Sequence, residues 1–107
     1  NYGKMKRDFT YIDDIIAGTK SAIDKNYKYE IFNLGNHKSE NLMDMISILE
    51  NCLKRKARID FQPMQSGDIS GSLADISKTI KMLNYKPSIN IKDGIPKFVD
   101  WYKQYTN

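Results

Sequence analysis

The chain has 107 residues, of which 40% are apolar and 28% charged, and a formal net charge of +4. That length is one domain's worth, enough to bury roughly two thirds of the unfolded surface, and the composition excludes an intrinsically disordered segment. The longest apolar runs are only a few residues, which excludes a membrane span and a signal-peptide core, so no membrane partner is expected.

The opening stretch is polar and cationic and lacks an initiator methionine, and the chain is expected to be part of a longer polypeptide. Arg7 to Asp14 reads as a short strand running into a helix start. Phe9, Thr10, Tyr11 and Ile12 favour a strand, and Asp13-Asp14 offers an N-cap carboxylate. A strand that ends at a helix N-terminus, with an arginine close by, suits an anion such as a phosphate. Ile15, Ile16, Thr19, Ala22 and Ile23 then recur at helical spacing, which predicts a helix from Asp14 to Lys25 closed by Asn26.

Tyr29 to Leu34 reads as a second strand, ended by the turn signal Gly35-Asn36. Leu42, Met45, Ile46, Leu49, Cys52 and Leu53 form the clearest helical stripe, with Lys54, Arg55 and Lys56 complementing its C-terminal end. Ala57 to Gln62 alternates Ile59 and Phe61 with polar neighbours and predicts a third strand, stopped by Pro63. Met64 to Leu73, with two glycines and three serines, predicts an exposed loop of the kind that carries function. Asp75 caps a short helix through Ile76, Ile80 and Leu83, and Ile91, Ile95, Phe98, Val99 and Tyr102 predict a last helix with Asn90 as its cap and Pro96 near its start. The order of elements argues for a single α/β domain over residues 1–107, a small mixed or parallel sheet packed by about four helices.

Few residues offer chemistry. His37 lies alone in a polar turn, and no serine or cysteine is placed to use it. Cys52 falls on an apolar helix face and reads as packing; as the sole cysteine it forms no internal disulfide, which fits a reducing, cytoplasmic setting. One histidine and one cysteine do not make a zinc site, so no metal is expected. The six glycines nowhere spell a dinucleotide or phosphate-loop fingerprint, so the chain is expected to bind no cofactor itself. Tyr2 and Lys6 have Tyr-x-x-x-Lys spacing, but Gly3 and the strand that follows argue against the helix that spacing needs. The basic clusters Lys4-Met5-Lys6-Arg7 and Lys54 to Arg58 read as solvated faces, and nucleic acid is not the expected partner; a basic interaction module that binds nucleic acid is the alternative.

Taken end to end, Lys4-Met5-Lys6-Arg7-Asp8-Phe9-Thr10-Tyr11-Ile12-Asp13-Asp14, Ile31-Phe32-Asn33-Leu34-Gly35-Asn36, Pro63-Met64-Gln65-Ser66-Gly67-Asp68 and Ala74-Asp75-Ile76-Ser77-Lys78 resemble the C-terminal third of UDP-glucuronate 4-epimerases. These are NAD-dependent nucleotide-sugar epimerases of the extended short-chain dehydrogenase/reductase group. The resemblance implies a C-terminal substrate lobe without the Rossmann part that binds NAD, and therefore a chain that holds a UDP-sugar and is inactive alone. It leaves open another epimerase or dehydratase of the group. Arg7 matches the family's diphosphate-binding arginine and Asp68 its ribose-binding acid; Gln65 stands where galactose-type epimerases tend to have a phosphate-binding arginine. No catalytic group of the family is matched. The implied partners are a UDP-sugar and an NAD-binding domain. A lobe without that domain exposes apolar surface, and self-association is expected, with Phe9, Tyr11 and Phe61 as candidates.

Overall fold

A computed structural model describes residues 1–107. The elements in chain order are β1 (Lys6–Arg7), α1 (Ile12–Lys25), β2 (Glu40–Asn41), α2 (Leu42–Leu53), α3 (Ser77–Leu83) and α4 (Ile91–Thr106). The α/β class and the four helices are those the sequence predicts. β1 and β2 pair antiparallel, Lys6 opposite Asn41 and Arg7 opposite Glu40. On its other side Lys6 forms a parallel bridge with Gly71, through Lys6 N–H to the Ser70 carbonyl at 2.9 Å and Ser72 N–H to the Lys6 carbonyl at 3.2 Å. The sheet is thus mixed, and very small.

The strands expected at 9–12, 29–34 and 57–62 do not form. Pleated, β-branched sequence makes a strand only where a second strand lies alongside, and none does in this chain. Between Lys28 and Gly35 no main-chain N–H donates a hydrogen bond. The carbonyls of Ile31, Asn33 and Gly35 are instead taken by side chains: Lys78 Nζ at 3.0 Å, Thr79 Oγ1 at 2.6 Å and Tyr85 Oη at 2.8 Å. Since successive backbone groups of an extended chain alternate in direction, the carbonyls on one edge of this segment are bonded and the other edge is bare.

Helix ends lie nearer to where the sequence puts them. α1 closes on Asn26 in the left-handed region at φ 52°, as the sequence suggests. Its start differs: the helix begins at Ile12 after Tyr11, and neither Asp13 nor Asp14 caps it. Asp14 is buried in the first turn, and its carboxylate accepts the N–H groups of Ser88 and Ile89 at 3.1–3.2 Å, so the tie between α1 and the 85–90 connection outweighs capping. Asp75 is not the cap of α3, which begins at Ser77 after Ile76; from one position earlier its carboxylate accepts the N–H and the hydroxyl of Ser77 at 3.0 and 2.7 Å. Asn90 precedes α4 but spends its side-chain oxygen on Asn36 Nδ2 at 3.2 Å; α4 runs through Pro96 in its second turn.

The core is small. Ile76, Leu83 and Tyr85 are its buried centre, with Ala22, Phe32, Leu34 and Ala74 packed on it. Gly18 lets α1 approach: a Cβ there would meet Leu34 Cδ2 at 2.5 Å and the Tyr85 ring at 3.1 Å. α4 lies along α2 as a second packing unit. The molecule is a plate of 47 × 36 × 19 Å with a radius of gyration of 16.2 Å, against about 13 Å for a compact domain of this length.

Candidate functional site

β1 delivers Arg7 to the front of the molecule, and the loop after Pro63 brings Asp68 to meet it. Arg7 Nη2 donates to Asp68 Oδ1 at 2.8 Å, and both side chains are about a third exposed, 30% and 40%. Arg7 Nη1 donates to the Lys6 carbonyl at 2.8 Å, which holds the guanidinium against its own strand. Asp68 Oδ1 also accepts the Ile69 N–H at 2.8 Å, and Asp68 N–H donates to the Gln65 carbonyl at 3.1 Å. Gly67 makes that turn possible at φ +84°. Two of the expected site residues are therefore paired, 61 positions apart in sequence, and Gln65 closes the same turn.

Gln65 and Asp68 line a broad groove of about 1110 Å³, floored by Met5, Leu42, Met43, Ile46 and Phe61. Arg55 and Arg58 border it without an ion-pair partner, while Lys56 is tied to Glu50 at 3.2 Å. Glu50 also accepts the Ala57 N–H at 2.8 Å, and that bond, with Lys56, holds its carboxyl below the usual value. The groove thus combines an apolar floor, two unpaired guanidiniums and an arginine–carboxylate pair at the rim. It suits a ligand with one flat apolar part and one anionic part.

The anion site expected at the start of α1 is not assembled. Arg7 turns to Asp68, and the α1 entrance opens on an apolar cleft of about 540 Å³ lined by Phe9, Tyr11, Ile95, Phe98 and Trp101. Lys97 lies over the Tyr11 ring, 5.6 Å from its centre. Phe9 and Tyr11 are half-buried there, so of the three candidates for an exposed apolar patch only Phe61 is exposed. His37 is exposed, as expected, with Nδ1 2.7 Å from the Ala74 carbonyl. Tyr2 and Gly3 form a turn at φ 52° and 79°, so Tyr2 and Lys6 share no helix.

Sequence reasoning missed Asp8. Its carboxylate accepts four main-chain N–H groups, from Asn36 and His37 at 3.0 Å, Ala74 at 3.1 Å and Lys38 at 3.4 Å. It fastens the 36–38 turn and residue 74 to the end of β1, next to Arg7. No spacing rule marks such a residue, because its partners are backbone groups.

No protein-family model matches the chain. It is 49% identical over 95% of its length to an uncharacterized protein of Methanocaldococcus jannaschii, covering 31% of that protein. It is 41% identical over 95% of its length to a UDP-glucuronate 4-epimerase of Thermodesulfobacterium geofontis, covering 32% of it. The structure of UDP-glucuronic acid 4-epimerase from Bacillus cereus in complex with UDP-glucuronic acid and NAD superposes with a TM-score of 0.86, at 37% identity, over 96% of this chain and 33% of that one. The chain matches the C-terminal third of UDP-glucuronate 4-epimerases. It spans about a third of the length of these relatives. Among epimerases of known structure the likeness extends to a UDP-glucose 4-epimerase of Bifidobacterium longum in complex with NAD+ and UDP, at 25% identity and a TM-score of 0.85.

Proposed function

We propose that this chain is the substrate-binding lobe of an NAD-dependent nucleotide-sugar 4-epimerase, acting on UDP-glucuronate, and that it holds the nucleotide without transforming it. The observation that carries the reading is the ion pair of Arg7 with Asp68 at 2.8 Å, Asp68 being a lining residue of the groove. A nucleotide-sugar presents a diphosphate and a ribose diol side by side. Arg7 supplies charge-assisted donors for the first and Asp68 an acceptor for the second. Gln65, a neutral amide on the same turn, adds hydrogen bonding but no charge.

NAD would supply hydride exchange at the sugar C4, held by the part of the relatives that this chain does not span. That part is also the partner we assign to the apolar face of α1, where Ile12, Ile16 and Ile23 are exposed, and to the bare edge of 29–34. The four cations among residues 54–58 favour no nucleic-acid reading, since Lys56 is bound to Glu50 and Arg55 and Arg58 line the groove.

The test is a calorimetric titration of the chain with UDP. Binding is expected, and Arg7→Ala should weaken it about tenfold or more, the loss of a charge-assisted contact to phosphate. Incubation with UDP-glucuronate and NAD should give no UDP-galacturonate. Turnover by the chain alone, or equal affinity in Arg7→Ala, would refute the assignment.

A further inference from the structure

Resting on that reading, we infer that Asp8 is a positioning residue for the nucleotide: it touches no ligand and acts by fixing the strand that carries Arg7 between the two segments beside it. Little else holds that strand. β1 is 2 residues long, and no main-chain group of Asp8, Phe9 or Thr10 is bonded to another main-chain group. The chain just after Arg7 is therefore held by a side chain. Asp8 Oδ1 accepts the N–H groups of Asn36 and Lys38 at 3.0 and 3.4 Å, and Oδ2 accepts those of His37 and Ala74 at 3.0 and 3.1 Å. The cradle is close: a Cβ on Gly35 would meet Oδ2 at 2.8 Å and the Ala74 Cβ at 2.5 Å.

These donors come from the two segments that flank Arg7. The 36–38 turn leads into β2, whose Glu40 stands opposite Arg7. Ala74 follows the loop that carries Gln65 and Asp68, and that loop is bridged to Lys6 at Gly71. Ser39 Oγ donates to the Ser72 carbonyl at 3.3 Å and joins the same two segments. One carboxylate thus sets where both segments meet the end of β1, and with them the reach of the Arg7 guanidinium toward the loop and toward a phosphate. Its bonds are charge-assisted, and so stronger than those of a neutral acceptor.

Charge supplies the second half of the argument. Neighbouring side chains of a strand point to opposite faces, and Arg7 donates to the Lys6 carbonyl and to Asp68 rather than to Asp8. The N–H groups satisfy the Asp8 carboxylate on both oxygens, so its charge does not compete for the guanidinium. An amide in its place keeps one acceptor oxygen and turns an NH2 group toward N–H donors. Whichever way that amide is set, it loses either the bonds from Asn36 and Lys38 or those from His37 and Ala74. The core of Ile76, Leu83 and Tyr85 should remain while Arg7 loses its fixed distance from the loop.

The experiment measures UDP binding and the arginine side-chain NMR signals of the unmodified chain, Asp8→Asn, Asp8→Ala, Arg7→Ala and the double variant Arg7→Ala with Asp8→Asn. Without ligand, the Arg7 guanidinium should give a slowly exchanging signal, identified by its loss in Arg7→Ala, and Asp8→Asn should abolish it. Formate at constant ionic strength should restore that signal in Asp8→Ala by filling the place of the missing carboxylate, and chloride should not. Asp8→Asn should weaken UDP about three- to tenfold, but by less than about twofold where Arg7 is already alanine. An Arg7 signal that persists in Asp8→Asn, or an equal loss of affinity in both backgrounds, means that Asp8 serves stability alone, and the inference is overturned. Absence of the signal from the unmodified chain, or failure of both Asp8 variants to fold with formate present, also overturns it. If the signal behaves as expected and none of these proteins binds UDP, the nucleotide reading fails and the positioning of Arg7 by Asp8 stands.

Discussion

Tyr85 shows how much of this small core depends on single polar contacts. Its ring is buried and its hydroxyl donates to the Gly35 carbonyl at 2.8 Å. Burial, with the nearby carboxylates of Asp14 and Asp8, holds its phenol above the ordinary value of 10.0. A raised value means that the folded chain keeps a proton that the unfolded chain releases. The contribution is complete below pH 10.0 and is lost as pH rises through the folded value. Tyr85→Phe should cost about 1–2 kcal/mol at neutral pH, because a buried carbonyl loses its donor, and should flatten the alkaline limb of stability. Urea unfolding of both proteins between neutral pH and pH 11 would check this; an equal alkaline loss in the variant would contradict it. At this scale the sequence marks Arg7 locally only as a cation near a helix start, and Asp68 only through family motifs, since nothing local says that positions 61 apart will meet. Asp8 and Asp14 stayed hidden for a related reason. Their targets are main-chain N–H groups 28 to 75 positions away, and a backbone donor leaves no side-chain signature.

Helices and strands differ in what their sequence can reveal. The stripe Leu42 to Leu53 predicts α2, although the last turn expected at Lys54 to Lys56 lies beyond its end, where Lys54 turns left-handed at φ 56°; Asn26 marks the end of α1, and both follow because helical bonds are made within the segment. A strand needs a partner elsewhere, and for 29–34 none is present in this chain. Its alternation is nevertheless real: Phe32 and Leu34 pack on the core while Tyr29 is fully exposed and Ile31 is 83% exposed. Lys78 secures the segment, with Nζ 2.6 Å from Glu30, 3.0 Å from the Ile31 carbonyl and 5.4 Å from the centre of the Phe32 ring. The side-chain clamps bind carbonyls and leave the N–H groups to solvent. Hydrogen exchange followed by NMR should therefore find the amides of Lys28 to Gly35 unprotected, and those of α2 slower. Protection of alternate residues in 29–34 would mean that the chain had found a strand to pair with.

For the whole molecule the shape and the burial agree. Only nine of 107 residues are buried, and a plate 19 Å thick is little more than one helix layer and its connections. Exposed Ile12, Ile16 and Ile23 form one stripe of α1, and Trp101 and Tyr105 stack on α4 with ring centres 5.2 Å apart. Such surface is what a lobe presents when it has a larger body to rest on, and it should drive association of the isolated chain. Light scattering across a concentration series should show a mass rising above 12.4 kDa; a constant monomer mass at high concentration would contradict this. The expected α/β class and four helices survive at this scale, whereas the extent of the sheet does not, because strand pairing is a property of the assembled fold. The central claim is that the rim formed by Arg7 and Asp68 holds a nucleotide-sugar. Amide shift mapping of the chain during titration with UDP-glucuronate tests it most directly: perturbations should concentrate at Lys6 to Asp8 and Gln65 to Ile69 and vanish in Arg7→Ala, and shifts that avoid both segments or persist in that variant would contradict it.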